Sequence, residues 1–236
     1  MIEDAESRLA SSVDALAAEH RRELVDALRA LPVTTAPREA EGVIRPIADE
    51  YARRYDESIR ETVDGVLANA STQAAQERQR QQERGGTPGT GVSGDALRDV
   101  EQRQRAVMGM QSWTAAQEIS SRVTGEVRSA WASGGLDTFA TQQTAEGLAR
   151  AARPAMNKAI SYARVQEATE QGAVVVGAIR TAIRDASLCD HCAGYDRTEW
   201  RFPEDLEDFP GERGTVPDPS CEGAPKCRCT LLLVWG

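Results

Sequence analysis

The sequence predicts a mainly α-helical chain that carries a small α+β unit at its C-terminal end. Three observations predict it. Apolar residues recur at helical spacing through most of the first 172 residues. Short β-branched runs replace that spacing from Ala173 onward. All 5 cysteines lie between Cys189 and Cys229, inside the same terminal stretch.

The first helix is expected over residues 3–31. Leu9, Val13, Leu16, His20, Leu24, Leu28 and Leu31 follow one another at steps of three or four, and Pro32 ends the run. A second helix over residues 44–67 repeats the pattern with Ile44, Ile47, Tyr51, Tyr55, Ile59, Val63 and Val66. A short proline-bearing join between them makes residues 1–70 an N-terminal helical hairpin. One narrow stripe per helix is too little for a closed core, so the pair needs further helices of this chain or of a neighbour. His20 falls on the first stripe and reads as a core or interface histidine.

Residues 71–94 form a low-complexity segment, Gln/Arg-rich and then Gly/Pro-rich. Its first part can extend the second helix, and from Gly85 to Gly94 it reads as a flexible linker. The Gly89–Gly91 text lacks the Gly-Lys-Ser/Thr ending of a phosphate loop, and no strand precedes it. Residues 95–172 form the helical body. Ser93 or Asp95 can cap a helix that runs to about Ala132, with Ile119, Val123, Val127 and Trp131 on one face and Gly134–Gly135 at its end. Met108 and Met110 read as packing residues, and Gly109 marks a place where this helix can break. Pro154 suits the first turn of a later helix that stops at Gly172. Met156, Ile160, Ala163 and Val165 are expected on its buried side.

Residues 173–236 form the last segment. Strands are expected at Ala173–Ile183, Thr198–Phe202 and Thr230–Trp235. Cys189-x2-Cys192 follows the first of these, and Cys221-x5-Cys227-x-Cys229 precedes the last. An antiparallel pairing of those two strands brings the clusters together. The loop 193–220 holds four prolines, is rich in carboxylates, and has little visible to pack with. A metal across its ends supplies what such a tail lacks, since a structural zinc contributes about 10–16 kcal/mol of apparent folding free energy. C-x2-C is a knuckle spacing for a tetrahedral ion. The predicted metal ligands are therefore four of Cys189, Cys192, Cys221, Cys227 and Cys229. Cys227 and Cys229 share a face if extended, so spacing alone leaves the set of four open. His191, inside the knuckle, is expected to face solvent. The predicted class is thus mainly α, with a zinc-stapled C-terminal α+β domain.

The bulk numbers narrow the function. The formal net charge is −9, and residues 185–236 alone carry 11 acids and 5 bases. That argues against nonspecific DNA binding by the tail. The acidic start shows no secretory signal. The longest apolar runs, Ala173–Val176 and Leu231–Trp235, are too short to cross a bilayer. A soluble protein of a reducing compartment is expected, where clustered cysteines bind metal rather than pair. With only His20 and His191 available as imidazoles, no catalytic constellation is visible and no enzyme is expected.

Asp185, Cys189-Asp-His-Cys192, the Ala-Gly-Tyr-Asp196 turn and the Cys227-Arg-Cys229-Thr230 ending together resemble the C-terminal domain of the phage Mu F-like head morphogenesis proteins. The helix-to-strand step from Ala155–Lys158 through Val174–Ile183 is similar too. The likeness covers the C-terminal third. One departure stands out: members carry His-Pro before the final cysteine pair, whereas this chain has Ala224-Pro225, and Cys221 can supply the missing ligand. The resemblance implies a structural minor head protein of a tailed phage, held inside the virion head near the portal after assembly in the host cytoplasm. It implies portal and other head proteins as partners, and packaged DNA as a further contact. Helices completed by partners, or an oligomer, agree with the narrow stripes. The alternative reading is a cytosolic zinc-ribbon-like module that binds nucleic acid.

Overall fold

The computed structural model describes residues 2–32, 35–136, 148–182, 190–209 and 229–236. The described chain is mainly helical, with a four-stranded sheet whose strands lie chiefly near the C-terminus. Packing divides it into two compact units, each discontinuous in sequence. A helical unit comprises Glu3–Thr62 and Ser112–Ala152, and a sheet unit comprises Val63–Gln111 and Arg153–Gly236 with the first two residues.

In the helical unit, α1 (Ile2–Arg29) pairs with the first part of α2 (Pro37–Glu83). Leu9, Val13, His20, Leu24 and Leu28 are buried as the stripe predicts, but Ala17 takes the place expected for Leu16. Ile44, Tyr51, Tyr55 and Ile59 face the core on α2, while Ile47 is half-buried. α2 starts earlier than its stripe suggests, with Pro37 at the helix start, where its missing N–H costs nothing. It also runs through Pro46. One internal proline removes a single helical hydrogen bond and crowds the carbonyl four residues back. That residue is Gly42.

The third partner is the second half of α3 (Arg98–Ala132). Val127 joins Leu24, Leu28, Ala40 and Ile44 in one apolar cluster. Charged bonds link the three helices pairwise. Arg54 is bidentate to Glu19, at 3.0 and 2.8 Å, and joins α1 to α2. Arg21 donates to Glu126 at 2.9 Å and joins α1 to α3. Arg128 donates to Glu41 at 2.7 Å and joins α2 to α3. The hairpin thus gains the extra helix that its narrow stripes demand. α3 is unbroken at Gly109, and Met110 is 62% exposed, so it is no packing residue.

His20 is fully buried between α1 and α2 and stacks on Tyr51, with ring centroids 4.2 Å apart. Its Nδ1 lies 3.5 Å from the Tyr55 hydroxyl. Burial, with Arg21 and Arg54 nearby, pushes its pKa down to about 4. The neutral imidazole is therefore the folded form. Below the ordinary value of about 6.5 the unfolded chain binds a proton that the folded chain refuses. Stability of this unit is expected to fall as pH drops from 6.5 towards 4, by about 3 kcal/mol in total. Urea unfolding of the wild type and His20→Phe at pH 7 and pH 5 checks this. The substitution is expected to flatten the dependence, and an equal slope in both proteins contradicts the assignment.

The sheet unit is built on β2 (Val174–Thr181), which has neighbours along both edges. β4 (Thr230–Trp235) pairs antiparallel along its length, from Val175↔Trp235 to Thr181↔Thr230. The other edge is shared by β3 (Glu199–Arg201) and by β1 (Val92–Ser93), both antiparallel. A register shift between Val175 and Gly177 lets Val175 and Ala178 both face the core. A Cβ on Gly177 would stand 2.4 Å from the Trp200 carbonyl oxygen, so only glycine admits β3 here.

α4 (Arg153–Gln171) covers this sheet, starting beside Pro154 and ending at Gly172, which has a φ of +57°. It is buried on nearly every side, and only Ile160 among its four expected core residues is half-exposed. Arg164 is bidentate to Glu77 on α2, both bonds at 2.8 Å, and reaches Thr230 on β4 at 3.1 Å. Val165 and Ala168 join Leu97, Val100, Leu231, Leu233 and Trp235 in one core. Trp200, Phe202 and Phe209 belong to it as well, with edge-on ring contacts at 5.5 and 5.2 Å. The segment after Cys192 is therefore not poor in packing groups, contrary to the expectation for 193–220. Its early part places three aromatics in the core, and residues 210–220 lie outside the described set.

The stretch from Gly85 to Gly94 is also not a free linker. Val92 and Ser93 pair with β2, Thr87 N–H donates to the Trp235 carbonyl at 2.9 Å, and Gly94 N–H donates to Ala173 at 3.0 Å. Gly94 passes so close to α4 that a Cβ would fall 1.8 Å from the Ala168 carbonyl oxygen. Backbone pairing needs few side chains, and this is why a Gly/Pro-rich text reads as linker and still docks. Ser93 then caps the 3₁₀ turn Gly94–Leu97 that leads into α3, accepting from the Asp95 N–H at 3.4 Å.

Candidate metal centre

The candidate centre lies at one end of the β2–β4 pair. Thr181 stands opposite Thr230, so Cys229 enters the sheet beside Ala182. The chain returns to the same end through α5 (Asp190–Gly194), a single helical turn that carries Cys192. A tight turn follows, with Tyr195 N–H donating to the Cys192 carbonyl at 3.2 Å. Arg197 adopts a left-handed φ of 63° and donates its N–H to the Arg180 carbonyl at 2.8 Å. Arg180 N–H in turn donates to Thr198 at 2.9 Å. Asp196 closes the turn, its Oδ1 accepting from Ala182 N–H at 2.9 Å. The Tyr195–Thr198 turn is thereby fastened to the last residues of β2, the end that Cys229 enters.

Cys192 and Cys229 are both buried, at 1% and 2% exposure. Arg180, from the core face of β2, has no exposed surface. Its Nη2 donates to Cys192 Sγ at 3.5 Å, and its guanidinium carbon stands 5.4 Å from the Tyr195 ring centroid. Cys189, Cys221, Cys227 and the His191 side chain lie outside the described residues. Among the described residues no group of three or more metal-ligating side chains occurs. Buried cysteine sulfurs, one on α5 and one immediately before β4, are ligand types that suit a soft or borderline cation. The residues that would hold it are four of Cys189, Cys192, Cys221, Cys227 and Cys229, of which Cys192 and Cys229 are described, and a bound zinc would supply cross-linking without redox chemistry.

Arg180 is the residue that the motifs do not point to. Its signal is a single cation in the otherwise apolar strand text Ala173–Ile183. The helical unit holds a groove of about 620 Å³ between α2 and α3, walled by Ile44, Ala48, Ala52 and Trp113. Ser120, Ser121 and Thr124 of α3 also line it, together with Arg45, Arg53 and Arg128, with no histidine or cysteine among the lining residues. It offers surface rather than chemistry. No protein-family model matches the chain, and neither a curated protein nor a solved structure does. No described helix is long and apolar enough to cross a membrane.

Proposed function

We propose that this chain is a non-enzymatic minor head protein of a tailed phage, similar to the Mu F-like proteins, acting in head morphogenesis near the portal. Its C-terminal sheet is closed by a structural zinc on four of Cys189, Cys192, Cys221, Cys227 and Cys229. The observation that carries this reading is the convergence of Cys192, Cys229 and the Asp196 turn on one end of the β2–β4 pair. These are residues of the very motifs that carry the resemblance. Cysteine ligands alone fit a structural ion better than a catalytic one, because all-sulfur sites are usually closed. Charge supports assembly over nucleic-acid binding, since the tail is strongly acidic. Portal and other head proteins are the partners this reading requires.

Mass spectrometry of purified procapsids and virions from the encoding phage tests it. The protein is expected in portal-containing particles at low copy number. Its absence from both kinds of particle overturns the proposal.

A further inference from the structure

The core face of β2 carries Val175, Ala178 and then Arg180, opposite Leu231 of β4. Alternation demands an apolar residue at that third place. A fully buried guanidinium there is expensive unless something negative or strongly polar meets it. The described geometry sets it against Cys192 Sγ at 3.5 Å. Its backbone is held on both sides, by Thr198 and Arg197, and its head group lies against the Tyr195 ring at 5.4 Å. The guanidinium is thus fixed before any ligand arrives.

We propose that Arg180 is a positioning residue of the cysteine metal site, holding the Cys192 sulfur in place and offsetting the negative charge of metal-bound thiolates. Four thiolates on one divalent cation would carry an excess of two negative charges. A rigid cation in hydrogen-bond contact with one of the sulfurs stabilises that excess. Lys would keep the charge but not the planar donor, and Met would keep most of the volume but neither. The inference rests on the zinc reading above and adds to it a residue that is not itself a ligand.

The test uses the full chain, loaded with Zn²⁺ or Co²⁺ alone. Zinc affinity is measured by chelator competition for the wild type, Arg180→Met and Arg180→Lys. Arg180→Met is expected to bind about 10–100-fold more weakly, the range for lost outer-shell partners, with Arg180→Lys in between. The sulfur-to-cobalt charge-transfer band is expected to shift in Arg180→Met, a change that a packing role alone would not produce. If Arg180→Met does not fold at saturating zinc, Arg180→Gln takes its place with the same expectation. A neutral variant that binds zinc as tightly as the wild type, with an unshifted cobalt band, overturns the inference and leaves the zinc reading standing. Failure of the wild type to bind zinc overturns both.

Discussion

Removing the metal is expected to release the cysteine end of the sheet before the rest of the molecule. A structural zinc supplies apparent folding free energy on the order of 10 kcal/mol, comparable to the stability of a whole domain. The loss is not expected to spread evenly. At the cysteine end, α5, the Tyr195–Thr198 turn and the Ala182–Asp196 bond are described contacts that tie the segment after Cys192 to the end of β2. At the far end, Gln81 on α2 receives the Trp235 N–H at 3.1 Å and donates to the Leu233 carbonyl at 3.5 Å, and α4 backs both strands. Chelation should therefore abolish hydrogen-exchange protection at Ala182, Arg197 and Thr198, while Trp235 retains a measurable part of its own. Cys192→Ser should reproduce the same pattern without a chelator. Cys229→Ser is the informative swap, because Cys229 is the member of the second cluster placed beside β2. Unchanged protection at Arg197 and Thr198 in metal-free protein contradicts the stapling role.

Trp235→Ala is expected to cost the sheet unit about 3–5 kcal/mol, the range for deleting a buried large aromatic. Trp235 is 1% exposed and sits in the core with Leu231, Leu233, Val165 and Val175. Among the described residues its indole N–H has no hydrogen-bond partner, so its contribution is packing alone. That makes Trp235→Phe the control. It loses no polar contact and should cost clearly less than the alanine change. Denaturant unfolding of the two variants separates these expectations. A cost for Trp235→Ala below about 1 kcal/mol would place the side chain outside the core described here.

The helical stripes and the strands near the C-terminus are legible in the sequence because local periodicity determines them. The three expected strands appear at Val174–Thr181, Glu199–Arg201 and Thr230–Trp235, within a few residues of where β-branched and aromatic text begins and ends. Pro154 and Gly172 bracket α4 for the reasons that proline starts helices and glycine ends them. What composition hides is pairing between segments distant in sequence. Val92 and Ser93 add to the sheet through backbone bonds, which leave no side-chain signature. The capture of Phe209 by the core is equally unreadable, because it follows the expected strand Thr198–Phe202 in a proline-broken acidic stretch.

The candidate site was legible in its spacing but not in its surroundings. C-x2-C and the later cysteine cluster are visible as text, and the expected antiparallel β2–β4 pairing places Cys229 beside Ala182. The role of Asp196 as an acceptor for Ala182 became plain only with the turn in place. Arg180 required both the register and the burial to stand out, since one arginine in a strand is unremarkable until it proves to lie on the core face.

The zinc-to-protein ratio of the purified chain decides whether a metal closes the sheet. The account predicts about one zinc per chain, as one four-ligand site requires. Metal-free protein whose Ala182, Arg197 and Thr198 amides are nevertheless fully protected would contradict it.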